Sequence, residues 1–126
     1  MLERDVERRL KSRVEKMIPG SMCLKFVSPG TRGVPDRVIL LAEGVTVWVE
    51  LKRPGEEPRP EQTAIHRRMA KAGAVVLVVD SYEAVDLVVQ SCYDWVTAFS
   101  YDDPVPHFPE KLMWYNWDKE VKKRAD

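Results

Sequence analysis

Apolar residues at Leu2, Val6, Leu10, Val14, Met17 and Ile18 recur at helical spacing. They predict an amphipathic helix over residues 2–18, closed by Pro19-Gly20. Met22 to Val27 then reads as a short strand, and Ser28 to Pro35 as a loop punctuated by Pro29, Gly30 and Gly33. Asp36 to Ala42 and Val45 to Lys52 predict a hairpin across Glu43-Gly44. In its second strand Val45, Val47, Val49 and Leu51 form an apolar face, and Thr46, Trp48, Glu50 and Lys52 a polar one. Arg53 to Pro60 is a charged, proline-containing loop. Glu61 to Ala72 is a helix with Pro60 at its start and Gly73 at its end. The unbroken apolar run Ala74 to Val79 predicts a strand covered on both faces, and Ser81 caps a helix reaching about Ala98. The order is therefore α-β-β-β-α-β-α: an α/β fold with a mixed sheet flanked by helices. The helical crossover into the last strand places residues 61–72 on the sheet that bears Glu50.

A chain of 126 residues with 44% hydrophobic content is long enough for one domain with its own core. We assign that domain to residues 1–100. Residues 101–126 form a tail rich in proline and aromatics. Together with Tyr93, Trp95 and Phe99, its Tyr101, Phe108, Trp114, Tyr115 and Trp117 make an aromatic end. These side chains would serve a dimer contact, or a wrap over the chain's own core, better than base stacking. Cys23 and Cys92 lie far apart without metal-ligand spacing and fit buried, reduced thiols. No apolar run is long enough to span a bilayer, and the charged N-terminal residues do not read as a signal peptide, so the expected location is the cytoplasm.

Net charge is zero but unevenly spread. Residues 1–71 carry 15 Lys/Arg against 10 Asp/Glu, and residues 72–126 carry 5 against 10. That asymmetry is compatible with one phosphate-facing surface, and equally with a mixed solvated one.

Asp36 stands at the mouth of one predicted strand. Glu50 and Lys52, two apart on the next, project to one side. Two carboxylates and an amine that converge are what a magnesium-dependent phosphodiesterase needs. Mg²⁺ takes oxygen ligands and keeps several waters, so Asp36, Glu50 and a backbone carbonyl near Leu51 suffice. Lys52 would deprotonate or orient a water and stabilise charge on phosphorus. Taken alone, the triplet also fits charged residues at a strand end. Glu3 and Glu7 border the apolar stripe of the first helix, where they either reach the sheet edge or pair with Arg4, Arg8 or Lys11. Gln62 and His66 share a helix face with Ile65 and Met69. Arg67, Arg68 and Lys71 suit phosphate contacts or a solvated face. The glycines before Asp36 would let DNA approach, with Arg32 or Arg37 on phosphate. The loop lacks the lysine and spacing of a P-loop, which excludes a nucleotide cofactor.

The string Gly33-Val34-Pro35-Asp36-Arg37, followed by Val49-Glu50-Leu51-Lys52 and by Gln62 with His66, resembles the PD-(D/E)XK nuclease superfamily. Within it the match is to the virus-type replication-repair nuclease (VRR-NUC) domain of the stand-alone phage and bacterial type. It includes Lys25-Phe26-Val27-Ser28-Pro29-Gly30 and runs from Glu3 to about Val89. The resemblance implies a restriction-endonuclease-like core and Mg²⁺ dependence, with Mn²⁺ as substitute. It implies hydrolysis that leaves a 5′-phosphate, in DNA replication, repair or recombination intermediates such as Holliday junctions, by a homodimer. It favours Glu3 over Glu7 as a further metal ligand and gives Gln62 an active-site role. It places Lys25 and Ser28 in the groove for which Arg32, Arg37 and Arg67 are candidate phosphate contacts; His66 either joins them on phosphate or is a partly buried histidine with a satisfied ring nitrogen. Two alternatives stand beside it: a related nuclease acting on RNA or on restriction sites, and a DNA-binding module without catalysis.

Overall fold

The computed structural model describes residues 2–113. Its elements are helix α1 (Glu3–Met17), strands β1 (Met22–Lys25), β2 (Arg37–Leu40) and β3 (Thr46–Leu51), helix α2 (Pro60–Lys71), strand β4 (Val75–Val79) and helix α3 (Tyr82–Thr97). Short 3₁₀ turns cover Ala42–Gly44 and Glu110–Leu112. The element order is the one the hydrophobic pattern predicts. The strands form one sheet in the order β1-β2-β3-β4, antiparallel through β3 and parallel between β3 and β4.

The α1 stripe explains the main core. Val6, Leu10, Val14 and Ile18 are buried together with Cys23, Ile39, Val47, Val49, Leu51, Leu77 and Val79 from one sheet face, and Val85, Val88, Val89 and Cys92 from α3. Helices α1 and α3 thus cover one face. Helix α2 lies against the other at β4, and the residues it buries are polar: Gln62 and His66. A helix that turns polar side chains inward has given up hydrophobic burial for something else. Both cysteines are free and buried, and burial pushes their thiols up to about 11 for Cys23 and about 12 for Cys92. Neither is a nucleophile at neutral pH.

Three local differences separate the structure from the sequence reading. The β2–β3 connection is a 3₁₀ turn in which Glu43 and Gly44 take φ of 62° and 72°, and it begins one residue earlier than a two-residue hairpin. Strand β2 starts at Arg37, which frees the Asp36 side chain although its carbonyl still accepts from Phe26 N–H at 2.8 Å. The strand expected to reach Val27 ends at Lys25.

The chain after α3 folds back on its own core. Trp95 Nε1 donates to the Asp103 carbonyl at 2.9 Å, Phe99 stands edge-on to both Trp95 and Tyr101, and Leu112 is buried in the core cluster. Trp114, Tyr115 and Trp117 lie outside the described residues. Among the described residues no helix is long and apolar enough to cross a membrane.

Candidate active site

The site forms where the β2 entrance, the end of β3 and the start of α2 meet. Because β3 alternates, Glu50 and Lys52 share the face turned to α2. They are only 1% and 4% exposed. A buried carboxylate and ammonium are costly unless paired, and the pairing is incomplete. Lys52 Nζ lies 3.7 Å from Glu50 Oε1 and 3.8 Å from Glu56 Oε1. Glu50 Oε1 accepts from Gln62 Nε2 at 2.8 Å, while Glu50 Oε2 is buried without a hydrogen bond. Burial, then the neighbouring Asp36 carboxylate, push the Glu50 carboxyl up to about 8.

Asp36 is held beside this pair by its own strand neighbour: its Oδ2 accepts from Leu51 N–H at 3.0 Å. Gln62 is fixed from both ends. Its Oε1 accepts from Arg59 N–H at 2.8 Å, which caps α2, and its amide nitrogen holds Glu50. One residue thus ends the loop, starts the helix and aims the carboxylate.

Gly33 explains how the loop carrying Asp36 reaches α2. Its φ is +83°, and a Cβ there would meet the Glu61 carbonyl oxygen at 2.6 Å and Gln62 Cα at 2.9 Å. The glycine lets the loop close on the first turn of α2. The sequence reading, which gave the loop glycines to DNA approach, is corrected at this position.

His66 is 1% exposed, with Nε2 3.8 Å from Glu50 Oε2 and neither ring nitrogen in a formed hydrogen bond. Burial holds its imidazole below the usual range, opposed by the Gly33 backbone and by the Asp36 carboxylate. It backs Glu50 from inside and is not available to a DNA phosphate. Arg37 is corrected in the same sense. Its guanidinium is buried, pairs with Glu7 at 2.9 Å and donates to the Cys23 carbonyl. It ties α1 to the sheet.

That pairing also separates the two glutamates of α1. Glu7 is engaged by Arg37, whereas the Glu3 carboxyl is raised by burial and then by Asp36, with Lys52 acting in the opposite sense. Glu3 therefore sits within the field of the site. An open groove of about 600 Å³ brings it together with Asp36, Lys25, Ser28 and Arg32. Arg67 lies apart from this groove, exposed on α2. Two contributors escaped the sequence reading: Glu56, the second partner of Lys52, and Arg59, which lines the groove and carries the N–H that Gln62 accepts. Both sit in an irregular loop where no periodicity marks a face.

The donor set is all oxygen. An unpartnered buried oxygen on Glu50, the Asp36 carboxylate beside it and the mutual repulsion of the two suit a divalent cation of the magnesium type. Among the described residues no three His, Cys, Asp or Glu side chains close into a protein cage.

No family model matches the sequence. Over 81 residues, 64% of this chain and 85% of the relative, the chain is 46% identical to "Putative nuclease p44" of Acyrthosiphon pisum secondary endosymbiont phage 1. A solved structure described as a VRR_NUC domain superposes with a TM-score of 0.62 at 31% identity, over 78% of this chain and 97% of that one. The fold, the phage relative and the solved domain agree with the motif reading, and the chain belongs to the VRR-NUC nuclease family.

Proposed function

We propose that this nuclease is a Mg²⁺-dependent, structure-selective DNA endonuclease that cuts branched intermediates of replication, repair or recombination, Holliday junctions among them. One observation carries the reading: a buried Glu50–Lys52 pair with Asp36 at the foot of an open groove whose rim bears Lys25, Ser28 and Arg32.

Asp36 and Glu50 would hold the ion, with the Leu51 carbonyl and water as further ligands and Glu3 at the outer edge. When bound, Mg²⁺ or Mn²⁺ supplies Lewis acidity at the phosphate and lowers the pKa of a water. Lys52, dry and preset between Glu50 and Glu56, orients the attacking water and offsets charge that develops on the phosphoryl oxygens. Gln62 keeps Glu50 from turning away. Lys25, Ser28 and Arg32 hold backbone phosphates in register.

A homodimer would present two such sites to two strands. Exposed Met22, Leu24 and Val27 at the β1 edge support a second copy there, and light scattering on the purified protein is expected to give twice the monomer mass. The working compartment is the cytoplasm of a bacterium or of a phage-infected host.

The decisive experiment incubates the protein with labelled four-way, flapped, nicked and plain duplex DNA, in Mg²⁺, Mn²⁺ or EDTA, beside Asp36→Asn. Expected are paired cuts near the branch, lost in EDTA and in the variant, which still binds. Cutting by Asp36→Asn at the wild-type rate overturns the site. Cleavage of RNA alone overturns the substrate.

A further inference from the structure

We propose that the cleft between α1 and the start of α3 is a second docking track for a nucleic-acid duplex, which holds an arm of the substrate away from the cutting site. The inference rests on the reading of the chain as an enzyme of branched nucleic acid and specifies where a further arm lies.

The cleft, about 490 Å³, is lined by Asp5, Arg8, Arg9, Ser12, Arg13 and Lys16 of α1, with Met17 and Tyr82 at its wall. Positions 5, 8, 9, 12, 13 and 16 form one helical stripe on the side of α1 turned from the sheet. Four cations share it with a single carboxylate. Several exposed cations elsewhere are paired with carboxylates, among them Lys11 with Glu15, Arg53 with Glu56, Arg59 with Glu61 and Lys111 with Glu83. Along the stripe Arg8, Arg13 and Lys16 have no ion-pair or hydrogen-bond partner among the described residues. Like charges one turn apart on a helix repel, so the stripe carries a cost that a polyanion removes.

The fourth cation prepares the wall. Arg9 binds Asp86 through two hydrogen bonds of 3.2 and 3.0 Å and lies 4.8 Å over the Tyr82 ring. The Asp86 carboxylate of α3 is thereby paired before a phosphate chain arrives. From Asp5 to Lys16 the track runs ~16 Å at ~1.5 Å per residue, or roughly five phosphate steps of one strand at ~3.4 Å. The same helix begins at Glu3, in the catalytic groove. A duplex on the track therefore leaves the site along a different face from the strand being cut, as an arm of a branched molecule does.

The test is the triple variant R8A/R13A/K16A, beside R8K/R13K, which keeps the charges. Alanine favours a helix at least as well as the residues replaced, so α1 is retained, and far-ultraviolet circular dichroism records it. Binding to a labelled four-way junction and to a short plain duplex is followed by fluorescence anisotropy in EDTA over a salt series. For the junction, the triple variant is expected to bind at least tenfold more weakly, with the slope of log K against log salt reduced by about 2–3. The lysine variant keeps the slope, and the short duplex, which can sit on either surface but not on both, weakens less than the junction. Wild-type affinity and slope in the triple variant overturn the track and leave the proposed function standing. Loss of binding to anionic vesicles with unchanged DNA binding overturns it in favour of a membrane surface. Failure of the wild-type protein to bind any nucleic acid overturns both readings.

Discussion

Glu50→Gln should stabilise the metal-free protein at alkaline pH while it abolishes cleavage. The Glu50 carboxyl is pushed up to about 8 from an ordinary 4.5, and each unit is worth ~1.4 kcal/mol. The native state therefore holds its proton more tightly than the unfolded chain, so stability is lost as pH rises from about 4.5 to about 8 and is flat above. The full loss is at most about 5 kcal/mol, and water entering a groove-side site reduces it to roughly 2–5 kcal/mol. Glutamine keeps an acceptor for Gln62 and brings no charge to ionise. At pH 5 the two proteins should melt alike. At pH 8.5 in EDTA the variant should melt higher, by roughly 3–5 °C per kcal/mol for a domain of this size. His66, held below its usual range, acts in the opposite sense below about 6.5, because the unfolded chain binds its proton first. Well above that range the imidazole is neutral in both proteins, so their difference at pH 8.5 isolates Glu50. Saturating Mg²⁺ should restore the wild type at pH 8.5 and move the variant less, since binding to the native state alone stabilises it. The assay is thermal denaturation by circular dichroism over pH 5–9, with EDTA or Mg²⁺. A variant that melts no higher than the wild type at pH 8.5 in EDTA would refute the argument.

Three further outcomes follow from the same geometry. Gln62→Ala removes the hydrogen bond that aims Glu50 and the acceptor that caps α2; the Mg²⁺ concentration for half-maximal cleavage should rise roughly 10–100-fold, and an unchanged midpoint would deny Gln62 this positioning role. Gly33→Ala combines a positive φ with a Cβ 2.6 Å from the Glu61 carbonyl oxygen, so chemical denaturation should show a loss of roughly 2–4 kcal/mol, whereas a wild-type midpoint would mean that the loop and α2 do not pack this closely. Arg37→Met breaks the tie between α1 and the sheet; it should cost about 1–3 kcal/mol and leave the salt dependence of DNA binding unchanged, and a shallower salt slope would return Arg37 to the DNA surface.

The elements were legible because their burial is periodic. The α1 stripe, the alternation of β3 and the apolar run of β4 each have one arrangement that hides them, and the sheet order follows from a hairpin and a crossover. Glu50 and Lys52 were legible for the same reason, since strand periodicity decides which way a side chain points, and Asp36 because it stands at the entrance of the neighbouring strand. What the sequence could not show was which of several chemically equivalent residues is already spent. Arg32 and Arg37 read alike as phosphate ligands, yet Arg37 is consumed by Glu7 and the Cys23 carbonyl, contacts made across 30 and 14 residues of chain. Glu3 and Glu7 also read alike, and both line the groove, but the ion pair with Arg37 engages Glu7.

His66 and Gly33 make the same point about loops and helix ends. Their roles are set by the closeness of α2 to the loop before Asp36, a tertiary distance that no local pattern encodes. The polar face of α2 was nevertheless present in the sequence as a departure. At the helix positions turned to the sheet, where leucine or valine would add more to stability, stand a glutamine and a histidine. Replacing both with apolar residues would improve burial and remove the hydrogen bond that Gln62 donates to the Glu50 carboxylate. The choice is intelligible when the fold has to hold a carboxylate half-paired and in place, with one oxygen left for a ligand.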